Sequence, residues 1–433
     1  VSQPDPLPQL LLAVPAVILA CKAGALLFRR FGQPPVIGEI VVGLMFGPSL
    51  LGWLWPAGQH ALFPSTVLPY IVQFGNIGLL IFMFLVGLEL DTSTLRGNSR
   101  TALAVSQASI LLPLTLGSLL AIAMFPAFAP HGISRLPFVL FMAVSMSVTA
   151  FPVLARILTD KGMYHTRIGT LAMACAAVDD VTAWCLLALA VAVADSGSTT
   201  GVLMTAGLSA AFLALMVCVA RPLIARWTDR ATRVDSVVMV LLFSGLCLSA
   251  LATDRIGVHA LFGAFLFGAI VPRGSGAIER SAARLRAFAQ PVLLPLFFIS
   301  TGLSTNVRLL AGRPADLLWG LAVLAVAVVG KWGGSSLAAR AAGQGWRDAL
   351  SIGALMNSRG LTELVVLNLG LQQGVIGTEL YTMLVLMALV TTTLTSPALS
   401  LLRGRQTEEE VPTLPDELRD PLPDESRQLP AAV

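Results

Sequence analysis

Residues 166–194 read TRIGTLAMACAAVDDVTAWCLLALAVAVA. The run is long enough to cross a bilayer core of about 30 Å, which takes roughly 20 apolar residues per helix. Its middle nevertheless holds two adjacent carboxylates, Asp179 and Asp180. An ionisable side chain at that depth costs about 2.5–3.5 kcal/mol on insertion scales, so it needs a partner or a task.

Similar apolar runs recur along the whole chain. Thirteen spans are expected near 8–28, 35–52, 68–90, 101–125, 136–158, 166–194, 200–224, 235–253, 256–272, 287–305, 315–338, 348–371 and 376–402. Composition agrees: 56% of the 433 residues are hydrophobic, 12% are charged, and the mean hydropathy is +0.81. A soluble domain carries roughly 25% charge. The balance excludes an ordinary soluble enzyme and a disordered protein. A net charge of +4 over this length is no nucleic-acid-binding patch. The fold class is therefore an all-α polytopic membrane protein. Its connections are too short for a folded soluble domain, and residues 1–405 form one membrane unit. The tail 406–433, with eight acidic residues and five prolines, reads as disordered. Five cysteines lie inside apolar runs without a CxxC pair and read as packing residues; no cofactor is expected.

Lys and Arg collect in cytoplasmic loops. With thirteen spans, the loops on one side hold eighteen basic residues, from Arg29 and Arg30 to Arg403 and Arg405. The other side holds four: Arg135, Arg255, Arg308 and Arg313. That asymmetry puts the N-terminus outside and the acidic tail in the cytoplasm, most simply of a bacterial plasma membrane.

The two halves of the chain also resemble each other. Gly38-Glu39-x3-Gly43 before Pro48 matches Gly263-Ala264-x3-Gly268 before Pro272, and Phe84-x2-Gly87-Leu88 matches Phe298-x3-Gly302-Leu303. The offsets are 225 and 215 residues. One duplicated unit would cover about 8–194 and again 235–402, with 200–224 as a linker helix. A single linking helix inverts the second unit, and inverted repeats are the usual architecture of alternating-access transporters.

Few charges remain well inside the spans: Glu39, Asp179, Asp180, Lys331, Arg359 and Glu363. Neighbouring helix residues point about 100° apart, so one aspartate can hold a structural partner while the other faces a cavity. Such a site can lose a proton to take a cation; the alternative is that both are structural glue. Lys331 lies too deep to snorkel easily, and the aspartate pair is its obvious counter-charge. In Ser145-Met-Ser147-Val148-Thr149-Ala-Phe-Pro152, the proline removes the donor to the Val148 carbonyl. That frees an oxygen among the hydroxyls of Ser147 and Thr149, suited to a small cation. The corresponding stretch of the second repeat contains Asn357, Ser358, Arg359, Gly360 and Glu363. Polar, glycine-containing stretches at matching positions mark broken helices. Arg359 and Glu363, at i and i+4, either pair structurally or act in gating. Glu39, after a Pro-Pro start, sits at a funnel mouth or serves a secondary coupling role.

These motifs resemble one family. Pro35-Val-Ile-Gly-Glu39 with Gly43 and Gly47-Pro48, Phe84-Leu-Val-Gly-Leu-Glu-Leu-Asp91, Asp179-Asp180, His259-Ala-x-Phe-Gly-Ala264 and Asn357-Ser-Arg-Gly-Leu-Thr-Glu-Leu364 are similar to the monovalent cation:proton antiporters. The matching branch contains potassium-efflux antiporters, bacterial sodium/proton antiporters and plant cation/proton exchangers. The resemblance covers 8–402 and implies a homodimer of thirteen-helix chains in the lipid bilayer, with crossing broken helices. It implies exchange of Na⁺ or K⁺ for H⁺, with Asp180 and Thr149 as cation ligands and Asp179 paired to Lys331. Because both Asp179 and a lysine are present, it leans toward electrogenic exchange. Some relatives carry a nucleotide-binding domain where this chain has its acidic tail, so gating by such a domain is not expected from this chain. An organic-anion symporter, a non-transporting sensor and an intramembrane aspartyl protease are the competing classes. The last needs carboxylates from two helices, whereas these are adjacent.

Overall fold

Prolines and glycines mark many of the helix boundaries. The computed structural model describes residues 6–89, 99–164, 166–196, 199–229, 235–272, 275–312 and 314–403. The acidic tail and several of the basic loop residues lie outside this set. Helix α1 is Leu7–Arg30, and α2, Pro35–Phe46, starts on a proline whose missing N–H is no loss at a first helical position. Next come α3, Leu68–Glu89, and α4, Ser99–Phe128. Helix α5, Arg135–Ser147, stops early, and α6, Phe151–Asp160, resumes after an extended linker. Helix α7, Arg167–Ser196, carries the aspartate pair, and α8 covers 199–229 with a π-helical turn at Met216–Ala220. Helices α9, Asp235–Ile256, and α10, Ala260–Ile270, follow. Helix α11 covers 276–303 with a π turn at Ala289–Leu293. Helix α12 covers 314–341 with a π turn at Val329–Gly333. A second interrupted pair, α13 (Trp346–Met356) and α14 (Leu361–Gln372), precedes α15, Thr378–Arg403.

Among the described residues, eleven segments are long and apolar enough to span a membrane, and α10 and α14 are shorter apolar helices. The chain is an all-α polytopic membrane protein. Two expectations need correction. The span expected at 256–272 shrinks to α10, because Gly257 turns at φ +91° and the His259 side chain caps the new helix at Leu261 N. The span expected from 287 begins at Gly276, since its first turns are too charged to register as apolar yet bury Ile278 and Ala282. Pro152 is the second residue of α6, just after the break.

The two half-helices α6 and α14 end alike. Gly162 (φ +66°) and Gly374 (φ +68°) adopt the left-handed conformation. In each case the next N–H reaches back into the last turn, Met163 N to Leu158 O at 2.7 Å and Val375 N to Gly370 O at 2.9 Å. Only glycine takes that conformation without strain.

The helices pack mainly as two groups. One contains α1–α3 and α9–α11; the other contains α4–α7 and α12–α15. The first group is held by backbone-to-backbone crossings. A Cβ on Gly43 would lie 2.4 Å from Phe298 O, and one on Gly302 would lie 2.0 Å from the Gly43 backbone. At a second crossing, a Cβ on Gly87 would lie 2.1 Å from Phe265 O, and one on Gly268 2.0 Å from Phe84 O. Small residues give such close approach in membranes, where no hydrophobic force drives helices together. Of the cysteines, Cys21 and Cys175 are buried as expected, but Cys185, Cys218 and Cys247 are exposed on the bundle surface and do not pack inside.

Gly302→Val has no relaxation route, because the obstructing atoms are backbone. It is expected to destabilise the protein by about 1–3 kcal/mol or more, read as a lower midpoint of thermal unfolding in detergent. An unchanged midpoint would show that the crossing at Gly43 is not closely packed.

Candidate ion-binding site

A helix that stops inside a membrane leaves its last four carbonyls without helical partners, and hydrocarbon supplies no water to replace them. In α5 these belong to Val144, Ser145, Met146 and Ser147. Side chains satisfy all four. Ser147 Oγ donates to Val144 O at 2.8 Å. Arg359 donates to Ser145 O at 2.9 Å and to Met146 O at 2.6 Å. Lys331 Nζ donates to Ser147 O. Two cations thus meet the negative end of the half-helix, which is the favourable sign.

Lys331 reaches this point because α12 lies against α4. A Cβ on Gly330 would sit 3.0 Å from Pro113 Cα, and one on Gly334 3.2 Å from Ala108 O. Pro113 lacks an N–H, so Ser109 O has no helical donor. Lys331 Nζ fills that gap too, at 3.3 Å, and lies 3.5 Å from Asp179 Oδ2. Asp179 is fully buried and held by hydroxyls: Ser106 at 2.6 Å, Thr149 at 2.8 Å, and Ser109.

Asp180 has a different environment. It is 1% exposed, and neither carboxylate oxygen has a hydrogen-bond partner of ordinary length among the described residues. The backbone N–H of Phe151 acts on it. That N–H opens α6, so the carboxylate meets the positive end of the second half-helix.

The second break is held differently. Asn357 N and Ser358 N turn back to Gly353 O and Leu355 O at 3.0 and 3.1 Å, and Thr395 Oγ1 donates to Ala354 O at 3.3 Å. Thr392 accepts from Arg359 N at 2.8 Å and donates to Arg359 O at 2.7 Å. The two breaks touch: Ala150 N donates to Ser358 O at 3.1 Å. A Cβ on Gly360 would lie 2.5 Å from Val153 Cγ2, so the close approach needs glycine. Asn357 Oδ1, Ser358 Oγ and Thr362 Oγ1 are buried without a partner among the described residues. Arg359 and Glu363, both fully buried, form an ion pair at 2.5 Å.

The structure therefore brings Asp179, Lys331, Ser147 and Thr149 into one cluster, with Asp180 next along α7. Val148 is the extended linker residue, with ψ of 138°. Thr149, expected as a cation ligand, gives its hydroxyl proton to Asp179. Arg359 joins the two breaks. Glu39 is half-buried on α2 and lines a separate cavity of about 420 Å³ with Lys22, Arg29, Arg156 and Arg286. Sequence reasoning missed Ser106, Ser109, Pro113 and Thr392. A signal was there for the first three: hydroxyls at i and i+3 in an apolar run, with a proline four residues after the second.

The residues matching the sodium/hydrogen exchanger transmembrane family extend from 16 to 402. The chain belongs to that family, whose class is secondary transport of a monovalent cation coupled to protons; it is a transporter and not an enzyme. It is 42% identical over 378 residues to the Na(+)/H(+) antiporter NhaS4 of Synechocystis, covering 86% of this chain and 92% of that one. It is 39% identical over 409 residues to the cation/H(+) antiporter 20 of Arabidopsis thaliana, covering 90% of this chain but 48% of that longer protein. The fold is similar to that of the sodium proton antiporter MjNhaP1 of Methanocaldococcus jannaschii. The TM-score is 0.65 at 14% identity, over 92% of this chain and 97% of the other.

Asp179→Asn leaves Lys331 buried without its counter-charge and is expected to cost about 3–5 kcal/mol of stability. Lys331→Gln should cost a similar amount. The double variant should fall short of the sum by about 0.5–3 kcal/mol, measured by unfolding in detergent. Strict additivity would show that the two groups do not interact.

Proposed function

We propose that this chain exchanges Na⁺ or K⁺ for H⁺ at Asp180 by alternating access. One observation carries the reading. Asp179, Asp180, Lys331, Arg359 and Glu363 are each no more than 1% exposed, and Arg359 pairs with Glu363 and Lys331 with Asp179. Asp180 is left over. A buried carboxylate with neither a counter-charge nor a hydrogen bond is too costly to keep, so Asp180 takes one positive charge, either a proton or a monovalent cation. The unpartnered oxygens of Asn357 and Ser358, together with the lone pairs of Thr149, are candidates to complete a cation's shell.

Lys331 supplies the second proton in this reading. Asp179 keeps three hydroxyl donors whether or not the lysine is charged. The lysine can therefore give up its proton when the cation arrives, and two protons then return for each cation. One net charge crosses per cycle, worth about 2.3 kcal/mol per 100 mV. The thirteen-span count takes α10 and α14 as completing full passes. The repeat is supported by the glycine crossings, since exchanging the halves turns Gly43 against Gly302 into Gly268 against Gly87. The chain acts as a homodimer with its N-terminus outside, Arg359 and Glu363 fix the breaks, and Glu39 lies at the mouth on the side where α1 ends.

Purified protein in liposomes with an internal pH dye tests the proposal. Adding Na⁺ or K⁺ should drive proton flux, and Asp180→Asn should reduce it to the level of empty liposomes. Flux that survives the substitution would overturn the assignment of Asp180. Clamping the membrane potential should change the wild-type rate; indifference would remove the lysine's proton and leave one-for-one exchange. A Li⁺, Na⁺, K⁺, Rb⁺ series identifies the cation.

A further inference from the structure

The cavity that Glu39 faces is rich in positive charge. Its wall carries Lys22 and Arg29 from α1, Arg156 from α6 and Arg286 from α11, against the single carboxylate of Glu39. Two of the arginines are already oriented. Arg156 pairs with Asp160 at 3.0 Å, and Arg286 pairs with Glu89. Each pair uses one nitrogen of a guanidinium that carries five N–H donors, so donors remain for another anion. Lys22 lies within electrostatic reach of Glu39, which lines the same cavity. Arg29, at the end of α1, has no side-chain partner among the described residues.

The geometry is that of a membrane interface. Lys22 lies eight residues before the end of α1, about 12 Å deeper by helical rise. It can extend toward the surface along its own stem. Ile18 and Leu26, one turn to either side of Lys22 on α1, line the same wall, so apolar surface flanks the lysine and continues past it toward the membrane middle. From these features we infer that the cavity binds a phosphate-bearing anion, with the phosphate held by Lys22, Arg29, Arg156 and Arg286. The apolar strip favours a phospholipid headgroup over a free phosphate, its acyl chain lying along Ile18 and Leu26. Arginine forks and phosphate oxygens match in shape as well as charge. Arg156 belongs to the helix group containing the broken helices, while the other three cations belong to the group containing α1 and α11. A bound phosphate therefore bridges the two groups. The site does not depend on Asp180, and binding is read without transport.

Delipidated full-length protein in neutral detergent is titrated with phosphatidylglycerol, with phosphatidylcholine, and with inorganic pyrophosphate, following the thermal unfolding midpoint. Phosphatidylglycerol should raise it by about 2 °C or more, and phosphatidylcholine should not. Lys22→Gln with Arg29→Gln should abolish the rise while leaving the lipid-free midpoint unchanged. Arg156→Gln should reduce it. A rise with pyrophosphate alone, lost in the double variant, would keep the site and assign it to a soluble phosphate. No rise with either anion, or a rise untouched by the double variant, would overturn the site. A rise insensitive to Arg156→Gln would overturn the bridge.

Discussion

Everything at the centre of this molecule depends on four carbonyls. Ending a helix in hydrocarbon exposes four acceptors that water cannot reach, and α5 ends there. The polar residues nearby are arranged around that deficit. Ser147 closes one carbonyl from its own helix, Lys331 closes another from α12, and Arg359 closes two from the far break. A cation in place of a neutral donor meets the helix dipole as well as the lone pairs. It also brings a charge that must itself be balanced. Asp179 and Glu363 provide that balance, so one backbone constraint accounts for four of the five charges that are no more than 1% exposed among the described residues. Asp180 alone is not required by it.

The two breaks solve the same problem with different chemistry. At the second, the chain turns back on itself through Asn357 and Ser358, and Thr395 and Thr392 supply hydroxyls. No cation is used there, so none needs a counter-charge. The asymmetry matters because it keeps positive charge on one side of the crossing and leaves neutral oxygens on the other. In the proposed reading, the unpartnered oxygens of Asn357 and Ser358 are therefore free for a cation held at Asp180.

Much of this was legible in the sequence, for physical reasons that differ by feature. Span positions emerged because apolar runs of fixed length have few other uses, and the interruptions near 148 and 358 emerged because polar residues there break an otherwise apolar pattern. The partnership of Lys331 with the aspartate pair could be anticipated because a deep lysine has few partners to choose from; the choice of Asp179 is what the family resemblance implies. Ser106 and Ser109 were not anticipated, since a serine in a membrane helix more often bonds its own backbone. Nothing in the spacing said that Pro113 would leave Ser109 O to a lysine more than two hundred residues away. The start of α11 was misread because a charged, amphipathic turn looks like a loop when only mean hydropathy is considered. For Arg359 the sequence leaves a pair with Glu363 and a gating role both open; its reach to α5 needed the crossing geometry.

The distribution of strong contacts also bears on how the site could move. The group containing α4–α7 and α12–α15 is tied together by buried ion pairs, by Arg359 spanning both breaks, and by the Ala150–Ser358 hydrogen bond. The other group is tied by glycine crossings that admit no added atom at Gly43, Gly87, Gly268 or Gly302. Breaking either set is expensive, because one exposes charge to hydrocarbon and the other forces backbone into backbone. The boundary between the groups has fewer such links, and Arg156 faces Arg286 and Arg29 across it. In the proposed cycle the cheapest motion is therefore one group against the other, with each rigid. The candidate cation ligands Asp180, Thr149, Asn357 and Ser358 all belong to one group, so in that cycle a bound cation would keep its coordination while the surrounding barrier changes sides.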